Sequence, residues 1–179
     1  MESSFSFFRA PILNLYPEAD WTLADAWRYI TGPEAQETTW ALRALSDKSR
    51  RRAFKSARFD YVTFSGRFTK RGQQGLIAHS GLLCIDFDHL TDVEELFQRL
   101  LQDEYFDTQL LFRSPSGDGL KWVVPIDLEE APHEQWFDSI YWYCRKTYGV
   151  APDDQCKDVA RACFLPHDPN AFLHPDLRL

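Results

Sequence analysis

The sequence predicts one α+β domain, a mixed α/β arrangement whose sheet is mixed or largely antiparallel and carries flanking helices. Three observations predict it. Strand-length, largely apolar runs at Gly81–Asp88, Gln109–Phe112 and Leu120–Ile126 alternate with segments of helical periodicity. Two of those runs are joined by a tight Gly-containing connection, which makes a hairpin the economical reading. The 179 residues, 44% hydrophobic and 15% aromatic, can bury a sizeable core and show no interdomain linker or internal repeat. The chain is therefore expected to be a single domain over 1–179, with an N-terminal portion (1–46) and a core (47–179) that carries the chemistry.

In chain order, residues 5–15 are apolar but irregular and are expected to form a strand and an extended approach. Thr22 opens a helix with Asp25 as an imperfect capping-box partner; Leu23, Ala26, Trp27 and Ile30 form its stripe, and Gly32–Pro33 closes it. A second helix is expected from Glu34 to about Leu45, with Trp40 and Leu42 turned inward. Tyr61–Phe64 reads as a strand and Ser65–Gly66 as a turn. Thr91 begins Thr-Asp-Val-Glu, a capping box with Glu94, ahead of a helical face of Val93, Leu96, Phe97, Leu100 and Leu101. Pro132 is placed to start the last helix at its first position, Trp136, Phe137, Ile140, Tyr141 and Cys144 line its inner face, and Gly149 stops it. A late strand is expected within 153–165, followed by an extended tail.

The net charge of −7 argues against a generic nucleic-acid-binding chain, but the charge is unevenly placed. Between Asp47 and Arg71 stand Lys48, Arg50, Arg51, Arg52, Lys55, Arg58, Arg67, Lys70 and Arg71, nine of the chain's 20 basic residues. This segment is either an anion-binding face, suited to nucleic acid, or a solvated helix face. The four cysteines show no zinc-knuckle spacing and are expected to be reduced thiols. No signal peptide and no membrane-spanning run are evident, so the expectation is a cytoplasmic protein without membrane association.

The chemistry centres on Asp86 and Asp88. Side chains alternate along a strand, so these two carboxylates share a face, with Ile85 and Phe87 on the other. Paired carboxylates at a strand end suit a hard divalent ion; the plainer reading is a strand running out into solvent. The turn Ser114, Ser116, Gly117, Gly119 with Lys121 supplies hydroxyls, close backbone approach and a positive charge suited to a triphosphate; its glycines equally serve the turn itself. Asp153 and Asp158 offer a third carboxylate. Arg161 suits a phosphate or a buttress for one of these acids; the plainer reading is a pair with Asp158 at i, i+3.

The order of three segments carries a resemblance: Cys84–Asp88, then Ser114–Lys121, then Asp153 through Asp158 and Arg161 to Phe164–Leu165–Pro166. Tyr61–Phe68, His79–Gly81 and Phe164–Pro169 add to it. Together they resemble the archaeo-eukaryotic primase (primase-polymerase) superfamily, and more narrowly the VirE-like N-terminal domain of bacterial mobile elements and phage-like replication proteins. The resemblance implies a primase-polymerase fold with an RRM-like catalytic core. It implies metal-binding acids at Asp86 and Asp88, a third at Asp153 or else Asp158, and Lys121 at a nucleotide-contacting position usually held by histidine. The implied activity is nucleotide transfer on a nucleic-acid template, assisted by Mg2+ or Mn2+ in replication of a mobile element or phage. The partners implied are a nucleoside triphosphate, single-stranded or primed DNA or RNA, and a helicase or other replication proteins. The alternative is a catalytically inactive nucleic-acid-binding or protein-interaction module of the same fold.

Overall fold

Alternation of apolar residues and well-placed caps carries through to the computed structural model, which describes residues 3–178. The elements run β1 (Phe5–Phe8), β2 (Ala19–Trp21), α1 (Leu23–Thr31), α2 (Gln36–Ala44), α3 (Lys48–Arg58), β3 (Tyr61–Thr63), β4 (Gly66–Phe68) and β5 (Leu76–His79). They continue as β6 (Leu82–Phe87), α4 (Val93–Leu101), β7 (Leu110–Arg113), β8 (Leu120–Pro125), α5 (His133–Thr147), β9 (Cys163–Phe164) and β10 (Phe172–Leu173). The class is α+β. Every strand pairing among the described residues is antiparallel, so the mixed-sheet alternative drops out. One four-stranded sheet has the order β2-β1-β3-β9, a second β10-β7-β8-β6, and β4-β5 form a ribbon.

The second sheet is the middle layer. Leu83, Ile85 and Phe87 of β6 pack with Leu120, Trp122 and Val124 of β8 against Leu96, Phe97 and Leu100 of α4 and Phe137, Ile140 and Cys144 of α5. On the opposite face, Leu82, Leu110, Phe112 and Val123 meet Phe5, Phe7 and Val62 of the first sheet and Leu23, Ala26 and Ile30 of α1. Each strand of the middle sheet therefore feeds two cores, as its alternation requires. Asp86 falls on the face between the sheets. Among the described residues no helix is long and apolar enough to cross a membrane.

Helix starts follow local chemistry with two adjustments. Thr22 and Asp25 form a complete capping box, with the Thr22 N–H donating to Asp25 Oδ2 (2.9 Å) and the Asp25 N–H to Thr22 Oγ1 (3.3 Å). At α4 the cap is Asp92 rather than Thr91, its Oδ1 accepting the Glu95 N–H at 2.9 Å. Glu94 is drawn away by Arg113, which donates to both its carboxylate oxygens at 2.7 and 2.6 Å. Trp40, expected inward, is 58% exposed. Leu42 is buried as expected, and Thr39 takes the other inward place, its Oγ1 accepting the His167 N–H at 2.8 Å. Pro132 is the N-cap of α5, one position before the one expected. The expected late strand shrinks to β9, preceded by a 3-10 turn over Asp154–Lys157.

The end of β5 is tied to the start of α5 through two imidazoles. His79 Nδ1 accepts the Gly81 N–H at 3.0 Å, so its Nε2–H is left to donate to His133 Nδ1, 3.1 Å away. Burial, then the neighbouring His133, pulls His79 down to about 4, and burial also lowers His133. Both rings thus resist charging in the folded protein and charge freely when unfolded. The unfolded chain binds more protons below the ordinary histidine value of 6.5, so stability is full above that pH and is lost as pH falls toward about 4. Urea denaturation at pH 7 and pH 5 should show this loss, and His79→Gln should reduce the difference; an unchanged slope in the variant would rule the pair out as its source.

Candidate functional site

Asp86 is the last polar position of β6, and antiparallel pairing with β8 places Lys121 directly opposite it. Residues so paired share a face, and here they form an ion pair between Lys121 Nζ and Asp86 Oδ2. Both are nearly enclosed, at 7% exposure for Asp86 and 9% for Lys121. Burial alone would lower the Lys121 ammonium, but the adjoining Asp86 carboxylate outweighs it and raises it, so Lys121 is charged. Burial raises the Asp86 carboxyl against the pull of Lys121. Asp86 Oδ1 is buried and has no hydrogen-bond partner.

Asp88 follows, exposed, on the same cleft as Asp86. The cleft has a volume of about 660 Å³ and opens at the end of the interface between the two sheets. Lys121, Arg161, Arg52, Lys55 and Arg71 line it together with Asp86, Asp88 and Asp158. Arg52 and Lys55 come from one face of α3, three residues apart. Burial, with Lys121 adding to it, lowers the Lys55 ammonium. Cations outnumber acids here although the chain carries a net −7.

The third acidic segment divides its labour. Asp153 caps the 3-10 turn, Oδ1 accepting the Gln155 N–H at 3.0 Å and Oδ2 the Arg161 guanidinium at 2.6 Å. Its backbone N–H donates to the Asp86 carbonyl at 2.8 Å, which locks the segment to β6. Oxygens of Asp86 and Asp153 and the Cys156 sulfur lie within 4.8 Å of one another. Burial pushes the Cys156 thiol up to about 12, so it stays a neutral thiol. Asp158 is the acid that reaches the cleft wall. The i, i+3 ion pair with Arg161 does not form: only the backbone links them, Arg161 N–H to Asp158 carbonyl at 2.9 Å, because Asp153 takes the guanidinium.

The oxygens that a divalent ion would meet are unequally free. Asp86 Oδ1 is an orphaned buried oxygen, whose lack of a partner is costly, and Asp88 adds an exposed carboxylate on the same cleft. Asp153 is less available, since both of its oxygens already accept N–H groups.

The remaining expected residues separate into those inside and those outside the cleft. Ser114, Ser116, Gly117 and Gly119 lie outside its lining. The turn is braced from behind: Arg43 donates to the Pro115 and Ser114 carbonyls (3.1 and 3.4 Å) and Arg51 to Ser116 (3.3 Å). Gly117 takes φ +83°, and a Cβ on Gly119 would stand 2.2 Å from the Phe87 carbonyl oxygen. The glycines thus serve the turn and its approach to β6, and only Lys121 of that motif enters the cleft. Of the basic segment, Arg67 pairs with Asp20 (3.2 Å) and Lys70 lies over Tyr16 (5.6 Å). Arg50 and Arg58 are exposed on α3. Sequence reasoning missed Arg43 and the cleft residues Ile12 and Leu15, for which spacing offers no signal.

Residues 54–173, more than half of the 179, match the family described as BT4734-like, N-terminal domain. This corrects the resemblance to the primase-polymerase superfamily and its VirE-like branch: the stretch carrying all three ordered motifs falls within a different family. The hairpin helps explain the likeness, since its glycines are used by turn geometry and strand packing. No curated protein and no solved structure matches the chain.

Proposed function

The chain belongs to the BT4734-like N-terminal domain family, and from the geometry of its cleft we propose that it binds a nucleoside triphosphate and transfers nucleotide to a nucleic-acid strand, in primer synthesis or extension. One observation carries the reading: three acids and five cations from separate chain segments converge on one cleft of about 660 Å³. Asp86, through Oδ1, and Asp88 would hold Mg2+ or Mn2+. Such an ion, when bound, neutralises phosphate charge and assists the attacking and leaving oxygens. Lys55 and Arg52 face the phosphates from α3, while Arg161 lines the cleft as the counter-charge of Asp153. Lys121 is committed to Asp86 and acts as its counter-charge rather than as a free phosphate ligand. Exposed Arg58, three residues beyond Lys55, continues the positive face toward a nucleic-acid backbone, whereas Arg50 stands on another side of α3.

Asp88 is exposed, so Asp88→Asn leaves the fold intact and tests the chemistry alone. Metal-dependent nucleotide incorporation on a primed single strand is expected to fall by about 100-fold or more in this variant. Wild-type protein that neither incorporates nor binds a nucleoside triphosphate in Mg2+ or Mn2+ would end the proposal.

A second reading, a nucleic-acid-binding module without catalysis, is favoured by one feature. Asp86 and Asp153 already carry internal counter-ions, Lys121 and Arg161. On this reading single-stranded DNA binding falls steeply with salt, survives Asp88→Asn, and weakens when Arg52 and Lys55 are neutralised.

A further inference from the structure

The cleft has two unlike ends. The charged groups gather where β6 ends and β8 begins, around Asp86, Asp88, Lys121 and Lys55. The other end is closed by the loop between β1 and β2, which lies outside the family-matched stretch 54–173. Backbone polar groups of that loop are already used. The Ile12 N–H donates to the Ser56 carbonyl (2.8 Å), the Arg71 N–H to the Leu15 carbonyl (2.8 Å), and the Arg71 guanidinium to the Ile12 carbonyl (3.2 Å). Arg71 is further held over the Tyr61 ring at 5.0 Å, so its guanidinium also braces the loop.

What the loop contributes to the cleft is therefore aliphatic: the half-buried side chains of Ile12 and Leu15. Phe164 joins them, its ring set edge-on against Tyr61 (6.4 Å, 82°) and Phe59 (6.3 Å, 62°). Ala160 and Ala162 keep the neighbouring wall shallow. A bare polyphosphate has nothing to place against such a wall. A planar apolar body joined to a phosphate chain has.

We propose that Ile12, Leu15 and Phe164 form the seat for the nucleobase, making the cleft selective for nucleotides over free polyphosphate. This rests on the reading of the cleft as a triphosphate site and adds the part of the ligand that the charged end does not recognise. The loop is then a specificity element supplied by the N-terminal segment.

Calorimetric titration of the full chain with ATP and with inorganic tripolyphosphate, in the same Mg2+ and salt, tests it. The expected result is ATP binding roughly 10-fold tighter than tripolyphosphate, as one stacked base contributes. Ile12→Ala with Leu15→Ala should remove most of that preference while leaving tripolyphosphate affinity within about 2-fold. Phe164→Leu, which keeps volume without a planar face, should act in the same direction. Equal affinity for the two ligands in wild-type protein, or equal weakening of both in the variants, overturns the base seat and leaves the phosphate site standing. Binding of neither ligand overturns the phosphate site and the seat with it.

Discussion

Asp86→Ala is expected to lower the unfolding free energy by about 3–5 kcal/mol, because it leaves the Lys121 ammonium buried with no anion. The two side chains are cross-strand neighbours on the face between the sheets, at 7% and 9% exposure, so water compensates little. The pair itself is a different matter. Replacing both partners with apolar residues removes two desolvation penalties along with the attraction, and such exchanges are often neutral or stabilising. Asp86→Leu with Lys121→Met should therefore recover most of the loss, since Leu82 and Val123 on the same face already lie in an apolar core. Urea denaturation with linear extrapolation measures both variants. A single substitution costing under about 1 kcal/mol would show that water reaches Lys121 and that the pair behaves as a surface one. The double variant also separates stability from chemistry: it should fold yet lose any metal-dependent nucleotide transfer.

The second large effect is expected at Asp168, in the segment between β9 and β10. Its carboxylate, at 3% exposure, accepts the Arg113 backbone N–H at 2.8 Å, the Arg113 guanidinium at 3.1 Å and the Asn170 N–H at 3.1 Å. Arg113 in turn is held by Glu94 at 2.6 Å and lies 4.6 Å over the Phe97 ring. One buried carboxylate thus joins the C-terminal segment to β7, and through Arg113 to α4. Asp168→Ala strands a backbone donor and half of a guanidinium, so the expected loss is about 3–5 kcal/mol. For a chain of this size that lowers the melting temperature by about 10 °C. Asp168→Asn keeps an acceptor and should cost less. Glu94→Gln, on the exposed side of the same arginine, should cost under about 1 kcal/mol. Thermal melts of the three variants check the order; an Asp168→Ala effect no larger than that of Glu94→Gln would refute the buried-anchor account.

Much of the fold was legible because local rules and tertiary demands agreed. The stripe of α1, its Thr22–Asp25 box, the Leu96–Leu100 face of α4 and the hairpin at Gly117 each follow from spacing and backbone preference. Where two local options were equally good, packing chose. Asp92 displaced Thr91 as a cap because Arg113 claimed Glu94, and Trp40 stayed outside because Thr39 filled the inward place with a bond to the His167 backbone. The ordered acidic and Gly-Ser motifs suggested a superfamily that the family match replaced, since the hairpin's share of that pattern is explained by turn and close-packing geometry.

At the site, the sequence by itself determined that Asp86 and Asp88 stand two residues apart at the end of an apolar strand-like run, with a basic segment elsewhere in an acidic chain. Period-two alternation and composition are properties of neighbouring residues and need no partner. Only the tertiary structure decided that strand register would set Lys121 against Asp86, that Asp153 would take Arg161, and that Ile12 and Leu15 would close the cleft. A buried charge must be satisfied by whatever group the packing of distant segments brings beside it, and that choice is not written in local spacing.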